Sequence, residues 1–156
     1  MSDPYNEILE GEQFLRQPLG ARHEQICAFL HQRIADSLKN VPTTRLLAPR
    51  STVQVSPRTT VRPDLTLVTA ETGKVWLVAE IINSGDHHAD TVLKKEIYEN
   101  WNVPRLWMID PRYDNVEIYH GTPHGLSLKK ILANREKLTE ALLPELQIEV
   151  TELFRS

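Results

Sequence analysis

Val61-Arg62-Pro63-Asp64-Leu65-Thr66-Leu67-Val68, the turn Glu71-Thr72-Gly73-Lys74, and Val75-Trp76-Leu77-Val78-Ala79-Glu80-Ile81-Ile82 form the stretch that decides the fold. The two outer runs have strand length and a strand-like share of β-branched residues. Folded about Thr72, they pair as an antiparallel hairpin with position 64 opposite position 80, since both lie eight residues from the centre. Directly opposed residues share a face with Cβ atoms about 5 Å apart, and like charges there repel. Glu80 is the one polar residue of its run, which is otherwise apolar on both faces and reads as a central strand. A divalent cation would offset the repulsion between Asp64 and Glu80, which points to metal-dependent hydrolysis.

Outward from this hairpin the chain alternates helical and strand-like segments. Ala21 to Lys39 is expected to be a helix: Ile26, Leu30, Ile34 and Leu38 recur at spacing four, and Cys27 and Phe29 widen the stripe. Pro18 and Gly20 precede it, and Asn40 and Pro42 end it. Arg45 to Ala48 and Thr52 to Val55 read as short strands. A second helix is expected from Asp86 to Trp101, then strands from Arg105 to Asp110, Asn115 to His120 and Leu126 to Leu132, with a loop from His120 to Ser127. Leu143 to Val150 places apolar residues at alternate positions and closes on a helical turn, Thr151 to Phe154. Residues 1–17 are polar and mixed, an N-terminal arm or a short helix. The order predicts one α/β domain over residues 1–156, a central mixed sheet flanked by helices.

Composition agrees with a single globular domain: 156 residues, 40% hydrophobic and 25% charged. The formal charge of −3 argues against a basic surface spread over the whole chain, so a nucleic-acid contact has to be local. Arg45, Arg50, Arg58 and Arg62 are clustered in sequence and are candidate phosphate contacts, with ordinary solvated surface as the equal alternative. The single cysteine, Cys27, excludes an internal disulfide framework, fits a reducing cytoplasm and reads as a small core residue. No apolar run approaches the roughly 18 residues that span a bilayer, and no secretory signal opens the chain, so no membrane partner is expected.

On a helical wheel the second helix carries Asp90, Lys94 and Tyr98 at spacing four, beside an apolar face centred on Leu93 and Ile97 with Trp101 next to them. Two readings stay open. Asp90 and Lys94 form an exposed i,i+4 pair worth about 0.3 kcal/mol, or Lys94 is aimed at the Asp64 and Glu80 carboxylates. Asp86-His87-His88-Ala89-Asp90 offers metal-capable side chains, but adjacent histidines diverge on a helix, and Asp86 is better read as an N-cap. His120 and His124 belong to a hairpin loop, and His23 near the start of the first helix is a candidate supporting residue, with a capping or surface role as its alternative.

The spacing Arg62-Pro63-Asp64, Glu80, Asp90-(three residues)-Lys94-(three residues)-Tyr98 and Asn102-Val103-Pro104-Arg105-Leu106-Trp107-Met108-Ile109-Asp110-Pro111 resembles the Uma-type family. Its members are small bacterial proteins named as restriction endonucleases, within the PD-(D/E)XK nuclease superfamily. Gly20-Ala21-Arg22-His23, Leu143-Pro144-Glu145-Leu146 and Leu153-Phe154 extend the resemblance over roughly residues 15 to 154. It implies a restriction-endonuclease-like core with Asp64 as the Asp of the PD motif and Glu80 as the acidic residue of the (D/E)XK motif. The lysine of that motif would fall on Ile82, and Lys94 matches the helix position from which the family supplies it instead. Asn83-Ser84-Gly85 departs from the Ser-Pro-Ser-like stretch usual after the acidic strand.

The function so implied is a Mg²⁺-dependent endonuclease, with Mn²⁺ as a substitute, that hydrolyses phosphodiester bonds in nucleic acid, with DNA the expected substrate. Asp64, Glu80 and the Ile81 carbonyl would hold the metal, Lys94 would serve catalysis, and Asp90, Tyr98 and His23 would support them. A nuclease this small is expected to pair as a homodimer. Two other readings compete: a catalytically inactive nuclease fold kept as a binding or interaction module, and a hydrolase of small phosphorylated substrates.

Overall fold

The computed structural model describes residues 3–83 and 89–155. The hairpin read from sequence forms β6 (Leu65–Thr69) and β7 (Val75–Ile81), with Leu65 opposite Ala79, Thr66 opposite Val78 and Leu67 opposite Leu77. Extended by one residue, this register brings position 64 to position 80, as the turn centred on Thr72 predicts. The expected first run is interrupted: Val61 ends a separate strand, β5 (Thr59–Val61), and Asp64 stands at the break just before β6. Pro63 has no N–H for a ladder and ends pairing there.

β7 is central. It pairs in parallel with β8 (Arg105–Asp110), and the six-stranded mixed sheet runs β10-β9-β8-β7-β6-β3, where β3 is Thr44–Leu46, β9 is Asn115–Thr122 and β10 is Gly125–Ala133. The His120–Ser127 loop is thus a correction: β9 and β10 continue through most of it, leaving Pro123 and His124 as a two-residue turn.

One face of this sheet is covered by α1 (Ala21–Ser37), the pair β11 (Lys137–Glu140) and β12 (Leu143–Glu149), and α3 (Val150–Arg155). Ile26, Leu30 and Ile34 of the spacing-four stripe are fully buried there against Leu77, Trp107 and Ile148. The other face is covered by α2 (Lys94–Trp101) and by a four-stranded sheet ordered β2-β1-β5-β4, with β4 at Val53–Ser56. In that sheet β1 (Tyr5–Leu9) and β2 (Glu12–Arg16) form a hairpin where sequence suggested an arm or a short helix. Glu10 and Gly11 both have positive φ, 54° and 83°, which is the turn that matches strand twist in a two-residue hairpin.

The second helix begins as a π-helical turn, Ala89–Leu93, before becoming α-helical at Lys94. Asn102, in the left-handed conformation, caps its end. The readings of Ser84, Gly85, Asp86, His87 and His88 lie outside the described residues.

Candidate active site

The polar stripe of the second helix faces inward. Asp90, Lys94 and Tyr98 are buried along with Ile97, while Leu93 and Trp101 are only half-buried. The expected face centred on Leu93 is therefore rotated, and Lys94 has no solvent exposure at all. A buried ammonium requires nearby anions. Lys94 Nζ meets Glu80 Oε2 on one side and lies 2.8 Å from Glu7 Oε2 on the other.

Glu7 is the residue that sequence reading missed. It is fully buried, its Oε1 accepts from Arg16, and its Oε2 also accepts from the Arg62 main-chain N–H at 2.6 Å. Arg16, also buried, donates to Asp90 Oδ1 at 2.7 Å. Asp90 Oδ2 accepts from the Asn83 N–H at 3.1 Å. Asp90 therefore does not pair with Lys94 directly; it fixes Arg16, which fixes Glu7, which holds Lys94. Tyr98 donates its hydroxyl to Glu80 Oε2, so it neither clamps Lys94 nor reaches the surface. Lys94 and Tyr98 both fall on Oε2, and Oε1 of Glu80 is engaged by neither.

Asp64, 3% exposed, is oriented from several sides. Its Oδ2 accepts the Ile81 N–H at 2.8 Å and lies 3.5 Å from His23 Nε2, while Oδ1 is 3.3 Å from Arg50 Nη1. His23 is buried, not a surface or capping residue, and its Nε2 donates to the Ile81 carbonyl at 3.1 Å. His31 donates to the Asp64 carbonyl at 2.7 Å. Cys27 packs beneath with its Sγ 3.7 Å from the same carbonyl, and burial pushes its thiol up to about 12, so it is inert as a nucleophile.

The charges do not cancel. Glu7, Glu80 and Asp90 share the pocket with the cations Arg16 and Lys94. Burial pushes the Glu80 carboxyl up to about 8; Lys94 opposes this, and Asp64, Glu7 and Asp90 add to it. Burial also works against the Lys94 ammonium, but Glu7 and Glu80 overcome it and hold Lys94 above the usual lysine range. Asp64 goes the other way: burial is outweighed by His23, the Ile81 N–H and Lys94, and its carboxyl is held below the usual range. The site thus holds one firm carboxylate, one firm ammonium and one carboxyl with room for a proton or a cation.

That donor set suits a hard divalent ion. Asp64, Glu80 and the Ile81 carbonyl supply oxygen, and Mg²⁺ takes one or two carboxylates with the rest from water. The described residues hold no cluster of three or more His, Cys, Asp or Glu side chains arranged as ligands, so a self-sufficient protein cage of the zinc or calcium kind is not present among them.

The four arginines singled out from sequence do not make one patch. Arg50 is tied to Asp64 and to Glu24, 3.0 Å away. Arg62 donates to the Arg50 carbonyl and lies over the Tyr5 ring. Arg45 is exposed on β3, at one edge of the six-stranded sheet, and Arg58 sits in the β4–β5 turn donating to the Glu10 carbonyl. Ile82, at the position of the motif lysine, is core.

The α/β domain thus carries Asp64 just before β6, Glu80 on β7 and Lys94 on the next helix. Over residues 2–151 the chain matches the model of the Uma2 family, described as "Putative restriction endonuclease", and it belongs to that family. It is similar to the crystal structure of a "putative nuclease belonging to DUF820" from Anabaena variabilis ATCC 29413, with a TM-score of 0.79 at 15% identity, over 99% of this chain and 92% of that one. None of the curated proteins matches it. Among the described residues no helix is long and apolar enough to cross a membrane.

Proposed function

We propose that this protein is a Mg²⁺-dependent endonuclease acting on DNA, with Mn²⁺ able to substitute. The observation that carries the reading is the contact of Lys94 with Glu80, on the strand next to Asp64. A divalent cation held by Asp64, Glu80 and the Ile81 carbonyl would supply charge to polarise the phosphoryl group and to lower the pKa of an attacking water. The chain's own residues do the remainder. The Ile81 N–H and His23 orient the Asp64 carboxylate toward its task. Lys94, held protonated by its two acidic neighbours, supports charge developing on the phosphoryl oxygens and does not act as a base. Glu7, Arg16 and Asp90 keep that ammonium in place. One site of this kind cuts one strand, so cutting both strands requires two chains and a homodimer belongs to this reading.

A second reading has its own support. Arg50 lies on Asp64 and Lys94 on Glu80, so internal cations stand where a metal would act, as in a fold kept for binding alone. Supercoiled plasmid separates the two. Nicking with Mg²⁺ or Mn²⁺ that stops with EDTA, and falls at least about 100-fold in Glu80→Gln and Asp64→Asn, is the expected result; plasmid binding with no nicking under either metal supports the binding module.

A further inference from the structure

A cavity of about 310 Å³ opens beside the acidic pair, lined by Gly20, Arg22, His23, Ile82, Asn83 and Arg112 among others. Ile82 and Asn83 directly follow the Glu80-Ile81 segment, and His23 touches both Asp64 and the Ile81 carbonyl. The cavity therefore shares a wall with the candidate metal site. Two guanidinium groups border it. Arg22 donates to the Pro111 carbonyl at 2.9 Å and to Asp114 at 2.6 Å, and its side chain stays 49% exposed. Arg112 donates from Nε and Nη2 to the two oxygens of Asp110, at 3.0 and 2.9 Å, and stays 31% exposed. The two aspartates hold the guanidinium planes in place; an arginine has five N–H donors, so such anchoring leaves donors for an incoming oxyanion.

Two further features border the cavity. The His23 side chain, nine-tenths buried, forms part of the wall; its Nδ1 makes no hydrogen bond among the described residues and lies 3.9 Å from Glu24 Oε1. Gly20 caps the 17-residue α1 without a side-chain hydrogen bond, so the positive end of that helix adjoins the cavity. By contrast, the other arginines near the site, Arg16, Arg50 and Arg62, are committed to internal carboxylates or carbonyls.

We infer that this cavity seats a backbone phosphate of the nucleic acid adjacent to the one that is cut, with Arg22 and Arg112 as its contacts. This rests on the nuclease reading above and names the side from which the strand enters. It also places the contact on residues outside the Arg45–Arg62 sequence cluster.

Binding isolates the inference from catalysis. The full chain carrying Glu80→Gln is titrated into a fluorescein-labelled 20-base-pair duplex and into one of its single strands, followed by anisotropy at several salt concentrations. Arg22→Gln/Arg112→Gln in that background is expected to weaken binding at least about tenfold and to lower the slope of log K against log salt by about 1, the signature of one lost phosphate contact. Lys39→Gln/Lys74→Gln, which removes the same charge from exposed positions elsewhere, is expected to change binding less than about threefold. If losing Arg112 unfolds the chain through buried Asp110, Arg22→Gln alone carries the test, with a loss of about threefold or more and a smaller slope. Unchanged affinity and slope in the arginine variant, while the parent binds, overturn this inference and leave the nuclease reading standing. A parent that binds neither strand form overturns both.

Discussion

The two faces of the six-stranded sheet are built on opposite principles. Under α1 and α3 an apolar cluster of Ile26, Leu30, Ile34, Trp107, Leu146 and Leu153 dominates, with His23 and Asp64 buried only at its edge. Under α2 and the N-terminal hairpin, Val61, Val78, Leu106 and Met108 pack in the same way, but Glu7, Arg16, Glu80, Asp90 and Lys94 are buried alongside. The strand β7 serves both, with Leu77, Ala79 and Ile81 on the dry side and Val78, Glu80 and Ile82 on the other. Apolar residues of similar volume would stabilise the second face as well as or better than ion pairs do. On the proposed function, the five charged groups kept there give up stability for chemistry.

The largest expected effect breaks the charged face directly. Lys94→Met strands Glu7 and Glu80 without their shared cation and is expected to cost about 3–5 kcal/mol in urea melts. Leu30→Ala on the dry face is expected to cost a similar amount, about 2–5 kcal/mol, through a cavity. The faces then differ in rescue. Adding Glu7→Gln and Glu80→Gln to Lys94→Met removes the stranded charges and is expected to restore more than half of the loss, whereas the same two changes in Leu30→Ala leave Lys94 buried without its acids and are expected to destabilise the chain further. Equal rescue in both backgrounds would erase the distinction.

A smaller effect follows from Glu80 alone. Its carboxyl is raised from 4.5 to about 8 by the fold, so between those values the folded chain binds more protons at this residue than the unfolded chain does. Its contribution to stability is present at low pH and is lost as pH rises toward 8. Glu80→Gln has no such proton to lose. In EDTA, the stability of Glu80→Gln relative to the parent is therefore expected to rise from about pH 5 to about pH 8; parallel curves would mean that the network neutralises Glu80 by other means.

Much of this was legible from local pattern. The register that brings Asp64 to Glu80 is centred on Thr72 as counted from sequence, but it is reached through an irregularity: Val68 pairs with Val75 beside the turn, and the shift after Leu67 restores the expected pairing. The stripe Asp90-Lys94-Tyr98 follows from helical spacing, but all three residues are buried while Leu93, placed at the centre of the apolar face, is only half-buried. Glu7 and Arg16 were not found, since their importance depends on contacts with residues more than 70 positions away. A signal was present: Glu10-Gly11 between two five-residue runs marks a two-residue hairpin, and alternation within it puts Tyr5, Glu7 and Leu9 on one side. β11 escaped notice because only Leu138 of its four residues is a buried apolar side chain. The arginine cluster is dispersed because the loop after β3 and the β4–β5 turn separate Arg45 and Arg58, while Arg50 and Arg62 are drawn to internal partners.

Titration calorimetry with Mn²⁺ at neutral pH tests the shared carboxylate site most directly. The parent chain is expected to take up metal, and Asp64→Asn and Glu80→Gln, each shown folded by circular dichroism, are each expected to bind at least about tenfold more weakly. A parent that takes up no metal, or variants that match it, would contradict the assignment of these two acids to one ion.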